Sequence, residues 1–185
     1  MKVFVGYDPR EDIAYQVCKH SIERHSPTAQ VIPLKQNDLK RQGWYSRSPD
    51  KLASTEFTFT RFLVPELANF NGWAVFMDCD MLLTTDIAEL FAQADDTKAL
   101  MCVQHDYAPK EGTKMDGQTQ TVYPRKNWSS MMLINCGHPA NKRLDIDLVN
   151  EPELNGAYFH RFSWLENDDL IGEISPEWNW LVGHY

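Results

Sequence analysis

The first thirty-odd residues do most to restrict the fold. KVFVG (Lys2 to Gly6) is short, rich in β-branched residues and closed by Gly6, the pattern of a strand. Asp8 then stands where it can cap a helix, Pro9 suits a first helical position, and Glu11 falls at the capping-box spacing. Ile13, Ala14, Val17, Cys18, Ser21 and Ile22 recur at helical spacing. They predict a helix over Glu11 to His25 with that face inward, ended by Ser26-Pro27. QVIPL (Gln30 to Leu34) reads as the second strand. A strand, a crossover helix and another strand favour an α/β fold with a mostly parallel central sheet flanked by helices. Ligands of such sheets bind beyond the carboxyl ends of the strands, which makes the Gly6-Tyr7-Asp8 turn a candidate site.

Further along, Lys35 to Ala53 is polar and interrupted by Gly43 and Pro49, which predicts an irregular loop carrying Trp44 and Tyr45. Thr55 to Leu67 is predicted helical, with Pro65 as a kink or near its end. WAVFMD (Trp73 to Asp78) reads as a buried strand that delivers Asp78, Cys79 and Asp80 to the sheet edge. Asp86 should cap a short helix in which Ile87, Leu90 and Phe91 share a face, and ALMCVQ (Ala99 to Gln104) should be the next strand. The polar stretch from His105 to Asn127 has the length of a functional loop and is a candidate acceptor loop. SSMMLIN (Ser129 to Asn135) reads as a strand, followed by helices around Ala140 to Val149 and Glu153 to Phe162. The 185 residues suit one domain spanning 1–185.

Composition narrows the function. With 26 acidic and 18 basic residues the net charge is −8, which argues against a nucleic-acid binder tracking phosphates. An acidic protein can still hold a diphosphate through a bridging metal ion. No run approaches the ~18 apolar residues of a membrane helix, and MKVFVGYD lacks the long apolar stretch of a signal peptide, so a cytoplasmic protein is expected. The four cysteines, Cys18, Cys79, Cys102 and Cys136, form no C-x-x-C pair and sit in apolar runs, which predicts buried free thiols.

Asp78-Cys79-Asp80 carries the most specific chemistry. At a strand end the backbone turns, and carboxylates two residues apart can then address one ion. Hard oxygen ligands suit Mg²⁺ or Mn²⁺, which bind through one or two carboxylates plus substrate phosphates and water. Such an ion offsets repulsion between the carboxylates and a diphosphate, and stabilises charge on a departing nucleoside diphosphate.

Taken with its surroundings, this motif makes the chain resemble the GT-A glycosyltransferases, and more narrowly glycosyltransferase family 8, over nearly its whole length. KVFVGYD is similar to the family's first strand and base-binding turn, FTFTRF to its donor-side helix, and FMDCDMLL to its D-x-D strand. MMLIN matches the strand after the long loop and NDDLIG the region near the sugar. The resemblance implies a Rossmann-like domain that moves a sugar from a nucleoside-diphosphate sugar, UDP-sugar above all, to a glycan or small-molecule acceptor. It implies Mn²⁺ or Mg²⁺ held by Asp78 and Asp80, and retention of anomeric configuration. Gly6, Tyr7 and Asp8 would contact the base, Arg61 the sugar or phosphate, and Asp78, Cys79 and Asp80 the metal-bridged donor. Asp168 and Asp169 would lie near the transferred sugar, as charge-stabilising or sugar-contacting groups.

Two departures stand out. Trp128-Ser129-Ser130 replaces the family's Asn-Ala-Gly-like sequence, so Asn127 or a serine hydroxyl would have to supply the sugar-binding amide's role. The chain ends at WNWLVGHY, where family members continue to a metal-ligating histidine and a Gly-Lys-Pro-Trp-like phosphate-binding segment. The resemblance therefore implies either a truncated chain or a metal site finished by water or His184. Two alternatives use the same residues: a haloacid-dehalogenase-like phosphatase with Asp78 as nucleophile, and a binding domain without turnover that stacks sugars on Trp44, Tyr45 and Trp128.

Overall fold

The computed structural model describes residues 1–106 and 125–183, together with the backbone of two short strands between them. Six strands form the main sheet: β1 (Lys2–Tyr7), β2 (Gln30–Lys35), β3 (Trp73–Met77), β4 (Leu100–Cys102), β7 (Met131–Asn135) and β8 (Ile171–Glu173). The remaining pair, β5 (Gly112–Thr113) and β6 (Thr119–Gln120), is antiparallel and separate. The sheet order is β2-β1-β3-β7-β4-β8. Every strand runs the same way except β7, which is antiparallel to both β3 and β4. The α/β fold with a mostly parallel sheet and flanking helices is therefore as the sequence indicates. Pro33 lies in β2, an edge strand, where a missing ladder donor is tolerated.

The direction of β7 matters for function. Met77, the last residue of β3, pairs with Met131, the first of β7. The ends of β1, β2 and β3 and the entry to β7 thus share one edge of the sheet. Asp8, Asp78 and Ser130 are delivered there by chain segments that are far apart in sequence.

The helix α1 (Asp12–His25) follows a 3-10 turn at Pro9–Glu11, and the Asp8 side chain caps that turn by accepting from the Arg10 N–H. Its inward face differs from the expected one. Ile13 and Val17 are 82% and 51% exposed, whereas Tyr15, Cys18, Ser21 and Ile22 are buried. Tyr15 packs edge-on against Tyr7 at 5.1 Å, and the buried Ser21 hydroxyl both donates to Cys18 O and accepts from the Leu83 N–H. Those contacts rotate the helix toward the 15/18/22 stripe, which an apolar count cannot see.

Other elements also depart from expectation. The stretch read as a loop after β2 contains α2 (Gln36–Arg41), and Tyr45 is buried in the core, so it offers no stacking platform; Trp44 and Trp128 are half-buried against the core. The helix expected over Thr55 to Leu67 is a 3-10 turn at Thr60–Leu63 followed by the four-residue α3 (Val64–Leu67). Pro65 sits in the first turn of α3, where its missing N–H costs least, and positive φ at Asn69 and Phe70 ends the segment. After α4 (Ala88–Phe91), the C-terminal helices are likewise shorter. Pro139–Arg143 forms a 3-10 turn, Asp145 caps α5 (Ile146–Asn150), and Asn155 caps α6 (Gly156–His160). Asp145 restarts the chain inside the helix expected around Ala140 to Val149, and Asn155 starts the one expected around Glu153 to Phe162 two residues late.

Arg47 ties these pieces together. Its guanidinium donates to the carbonyls of Val149, Glu151 and Leu154 and lies 4.0 Å over the Phe59 ring. The segment before Phe59 is thereby fixed to α5 and to the residues that lead into α6. All four cysteines are buried and free, as expected.

Candidate donor site

At the shared sheet edge a polar cavity of about 150 Å³ is lined by Ser54, Thr58, Arg61, Asp78, Lys126, Asn127, Ser129, Ser130 and His160. Its organising contact is the Arg61–Asp78 ion pair, with Nη1 2.9 Å from Oδ1. Arg61 is not a surface cation: its side chain is 7% exposed. Nε donates to Phe57 O and Nη1 to Ser129 O, and the guanidinium stacks near the rings of Phe57 and Phe76. Asp78 is anchored through its backbone, whose N–H donates to Ser130 O at 2.8 Å. The 129–130 turn therefore receives both Arg61 and Asp78, closing a loop of contacts across three chain segments.

Burial pushes the Asp78 carboxyl up to about 7, against the pull of Arg61, and nearby Asp80 and Glu11 add like charge. Asp80 is exposed to solvent. Cys79 lies between them but turns inward: it is buried and its thiol donates to Glu11 Oε2 at 3.3 Å. Burial raises this thiol above its ordinary range, and its hydrogen bond to Glu11 adds to the shift, so it is a packed neutral group rather than a nucleophile.

His160 is the least anticipated member of the cavity. Its Nδ1 lies 2.6 Å from the Ser129 hydroxyl, and its ring packs edge-on against Phe62. No local motif joins Ser129 to a histidine thirty-one residues later. Lys126, also buried, was missed as well; its position one residue before Asn127 was the available signal. Asn127 has a left-handed backbone, φ 64°, and its carbonyl accepts from the buried Asn179 side chain.

The Gly6-Tyr7-Asp8 turn is more structural than the sequence implied. A Cβ on Gly6 would lie 2.5 Å from the Phe57 ring, so glycine is required there for packing. The Tyr7 hydroxyl donates to Asp12, and the Lys35 ammonium sits 4.6 Å above the Tyr7 ring. Asp8 is buried; it accepts from the Arg10 backbone and guanidinium and from the Glu56 N–H, and Arg10 holds it below the usual carboxylate range. Substituting Gly6 by Ala is expected to cost about 1–3 kcal/mol through forced displacement of Phe57. Urea unfolding of the variant, read against the native chain, measures it.

Asp168 and Asp169 occupy a 3-10 turn just before β8, whose first residue pairs with the first residue of β4. Both are exposed, and neither lines the cavity. Asp168 pairs with Arg125, two residues before Asn127, and the Asp169 carbonyl accepts from Lys98. The loop expected to receive the acceptor lies mostly outside the described residues, as does His184.

Among the described residues no group of three His, Cys, Asp or Glu could hold a metal ion. Asp78 and Asp80 therefore provide two carboxylates at most. That donor set fits Mg²⁺ or Mn²⁺ only when phosphate oxygens and water fill the other positions.

No family model matches the sequence. The fold is that of the GT-A glycosyltransferases. Solved structures with this architecture include the bifunctional glycosyltransferase WbbM, with TM-score 0.64, 12% identity and 96% of the present chain covered. Another is the glycosyltransferase GlyE of Streptococcus pneumoniae, with TM-score 0.60, 15% identity and the same coverage. The chain spans 39% of WbbM and 46% of GlyE. In sequence it is 58% identical over 184 residues to Protein CDI of Arabidopsis thaliana, covering 99% of the chain and 70% of that protein. The chain belongs to the CDI family. No helix among the described residues is long and apolar enough to cross a membrane.

Proposed function

We propose that this protein binds a nucleoside-diphosphate sugar, UDP-sugar foremost, and transfers its sugar in the manner of glycosyltransferase family 8. The observation that carries the reading is the Arg61–Asp78 pair in a polar cavity at the carboxyl edge of the parallel strands. The GT-A fold supports the same class of reaction.

In this reading Asp78 and Asp80 hold the divalent ion, Mn²⁺ or Mg²⁺, which when bound neutralises charge on the diphosphate. Arg61 is fixed by Phe57 O and Ser129 O, so it faces developing negative charge without reorganising. Thr58, Asn127 and the Ser129–His160 pair supply hydrogen bonds to sugar hydroxyls, taking the place of the amide that the family's Asn-Ala-Gly-like sequence provides. Asp168 acts through Arg125, which leads into the Lys126-Asn127 wall, and Asp169 holds the same turn through its carbonyl on Lys98. Retention of configuration follows from the resemblance to family 8, and the acceptor is a glycan or small molecule.

The test is release of UDP from a panel of UDP-sugars with Mn²⁺, with and without added saccharide acceptors. The native protein is expected to release UDP and Asp80→Asn to lose most of that activity. Nucleotide binding with no release from any sugar would reduce the protein to a binding domain. Hydrolysis of p-nitrophenyl phosphate that disappears in Asp78→Asn would favour a phosphatase instead.

A further inference from the structure

A second cavity, of about 320 Å³, lies on the other side of the 53–61 segment. Ala53, Thr55, Glu56 and Phe59 face it, while Ser54, Thr58 and Arg61 line the donor cavity, so one stretch of chain forms a wall of both. Arg10, Gln36, Tyr45, Arg47 and Asp50 contribute to the remaining walls. Gln36 directly follows β2 and Arg10 lies just beyond β1, which puts this cavity too at the carboxyl edge of the sheet. Its volume is at the lower end of small-ligand sites.

The hydrogen-bond inventory of the lining is lopsided. Its donors are largely committed: Arg10 to Asp8 and Ser54 O, Arg47 to three carbonyls, and the Gln36 amide N–H to Glu56 O. Its acceptors are not. The half-buried Glu56 carboxylate accepts no hydrogen bond from the described residues, and burial, with Asp8 nearby, raises it above the usual range. Among the same residues the Asp50 carboxylate accepts only the Leu52 N–H. A ligand that satisfies this surface must bring donors and no negative charge. Vicinal hydroxyls meet both conditions, because two of them can donate to one carboxylate.

We propose that this cavity is a subsite for a neutral saccharide, held by hydroxyl donation to Glu56 and Asp50. That the saccharide is part of the acceptor rests on the glycosyltransferase reading above; its binding does not.

Saturation-transfer NMR of the full chain with glucose, galactose, xylose, lactose, cellobiose and xylobiose tests this, with glucuronate and ethanolamine as charged comparators. At least one neutral sugar should bind and glucuronate should not. Ala53→Trp, which fills the cavity, should abolish the sugar signal while leaving the response to UDP with Mn²⁺ intact. Glu56→Gln, a nearly isosteric change, should weaken the same sugar by about tenfold, the scale of a lost charge-assisted hydrogen bond. Absence of binding by every neutral sugar, response to ethanolamine alone, or unchanged binding by a folded Glu56→Gln would each overturn the proposal. A sugar response without any UDP response keeps this subsite and removes the transferase reading. A UDP response without a sugar response does the reverse.

Discussion

Arg61→Met is expected to destabilise the protein by about 1–3 kcal/mol, because Phe57 O and Ser129 O lose their buried donor while Asp78, already raised to about 7, takes up a proton once its counter-ion is gone. Methionine keeps much of the aliphatic packing against Phe57 and Phe76, so the loss isolates the guanidinium. That group holds Phe57 O, Ser129 O and Asp78 Oδ1 at once. Urea denaturation at neutral pH measures the effect. A loss below ~1 kcal/mol would mean that the pair behaves as an exposed surface bridge. UDP release should vanish in the same variant even at temperatures where it remains folded.

The second large effect is a pH dependence that belongs to Asp78. Its folded carboxyl titrates near 7, above the ordinary value of 3.8 that it regains on unfolding. The folded state therefore holds this proton more tightly. The resulting stabilisation is fully present below about pH 4, is lost as pH rises through about 7, and is flat beyond. Asp78→Asn removes the titration. The stability of the native chain relative to that variant should accordingly fall by a few kcal/mol across this window, because a tenfold difference in proton affinity corresponds to ~1.4 kcal/mol. Parallel denaturation curves for the two proteins from pH 4 to 8 would instead show that Asp78 is solvated and ordinary. Bound Mn²⁺ with UDP should flatten the slope by favouring the ionised carboxylate.

What could be read from the sequence, and what could not, separates along physical lines. The β1-α1-β2 opening was legible because its signals are local: β-branched strands, Asp8 as a cap, Pro9 in a first turn. The strand before Asp78 was legible from its unbroken apolar run. The rotation of α1 was not, because Ile13 and Val17 are as apolar as the residues that are buried; Tyr15 and Ser21 win through partners on β1 and at Leu83. The helix expected around Ala140 to Val149 failed where the Asp145 side chain caps a new start, and the one expected around Glu153 to Phe162 is shorter, running from the Asn155 cap to His160.

The site divides similarly. Asp78 and Arg61 were visible as residues, and the structure brings them together. Gly6 was visible for an incomplete reason, since its small size serves Phe57. His160 and Lys126 were invisible, because their places in the cavity follow from how the chain folds back on itself rather than from any spacing. The reversed direction of β7 explains much of this: it returns Ser129 and Ser130 to the edge where β3 ends.

In the proposed function Asp78 and Asp80 hold a metal-bridged nucleotide beside Arg61. Isothermal titration of UDP into the native protein, with and without Mn²⁺, tests it most directly, alongside Asp78→Asn and Asp80→Asn. Binding is expected to require Mn²⁺ and to weaken by at least about tenfold in each variant, with a matching loss of thermal stabilisation by the ligand. Equal UDP affinity with and without Mn²⁺, or native affinity in both variants, would contradict it.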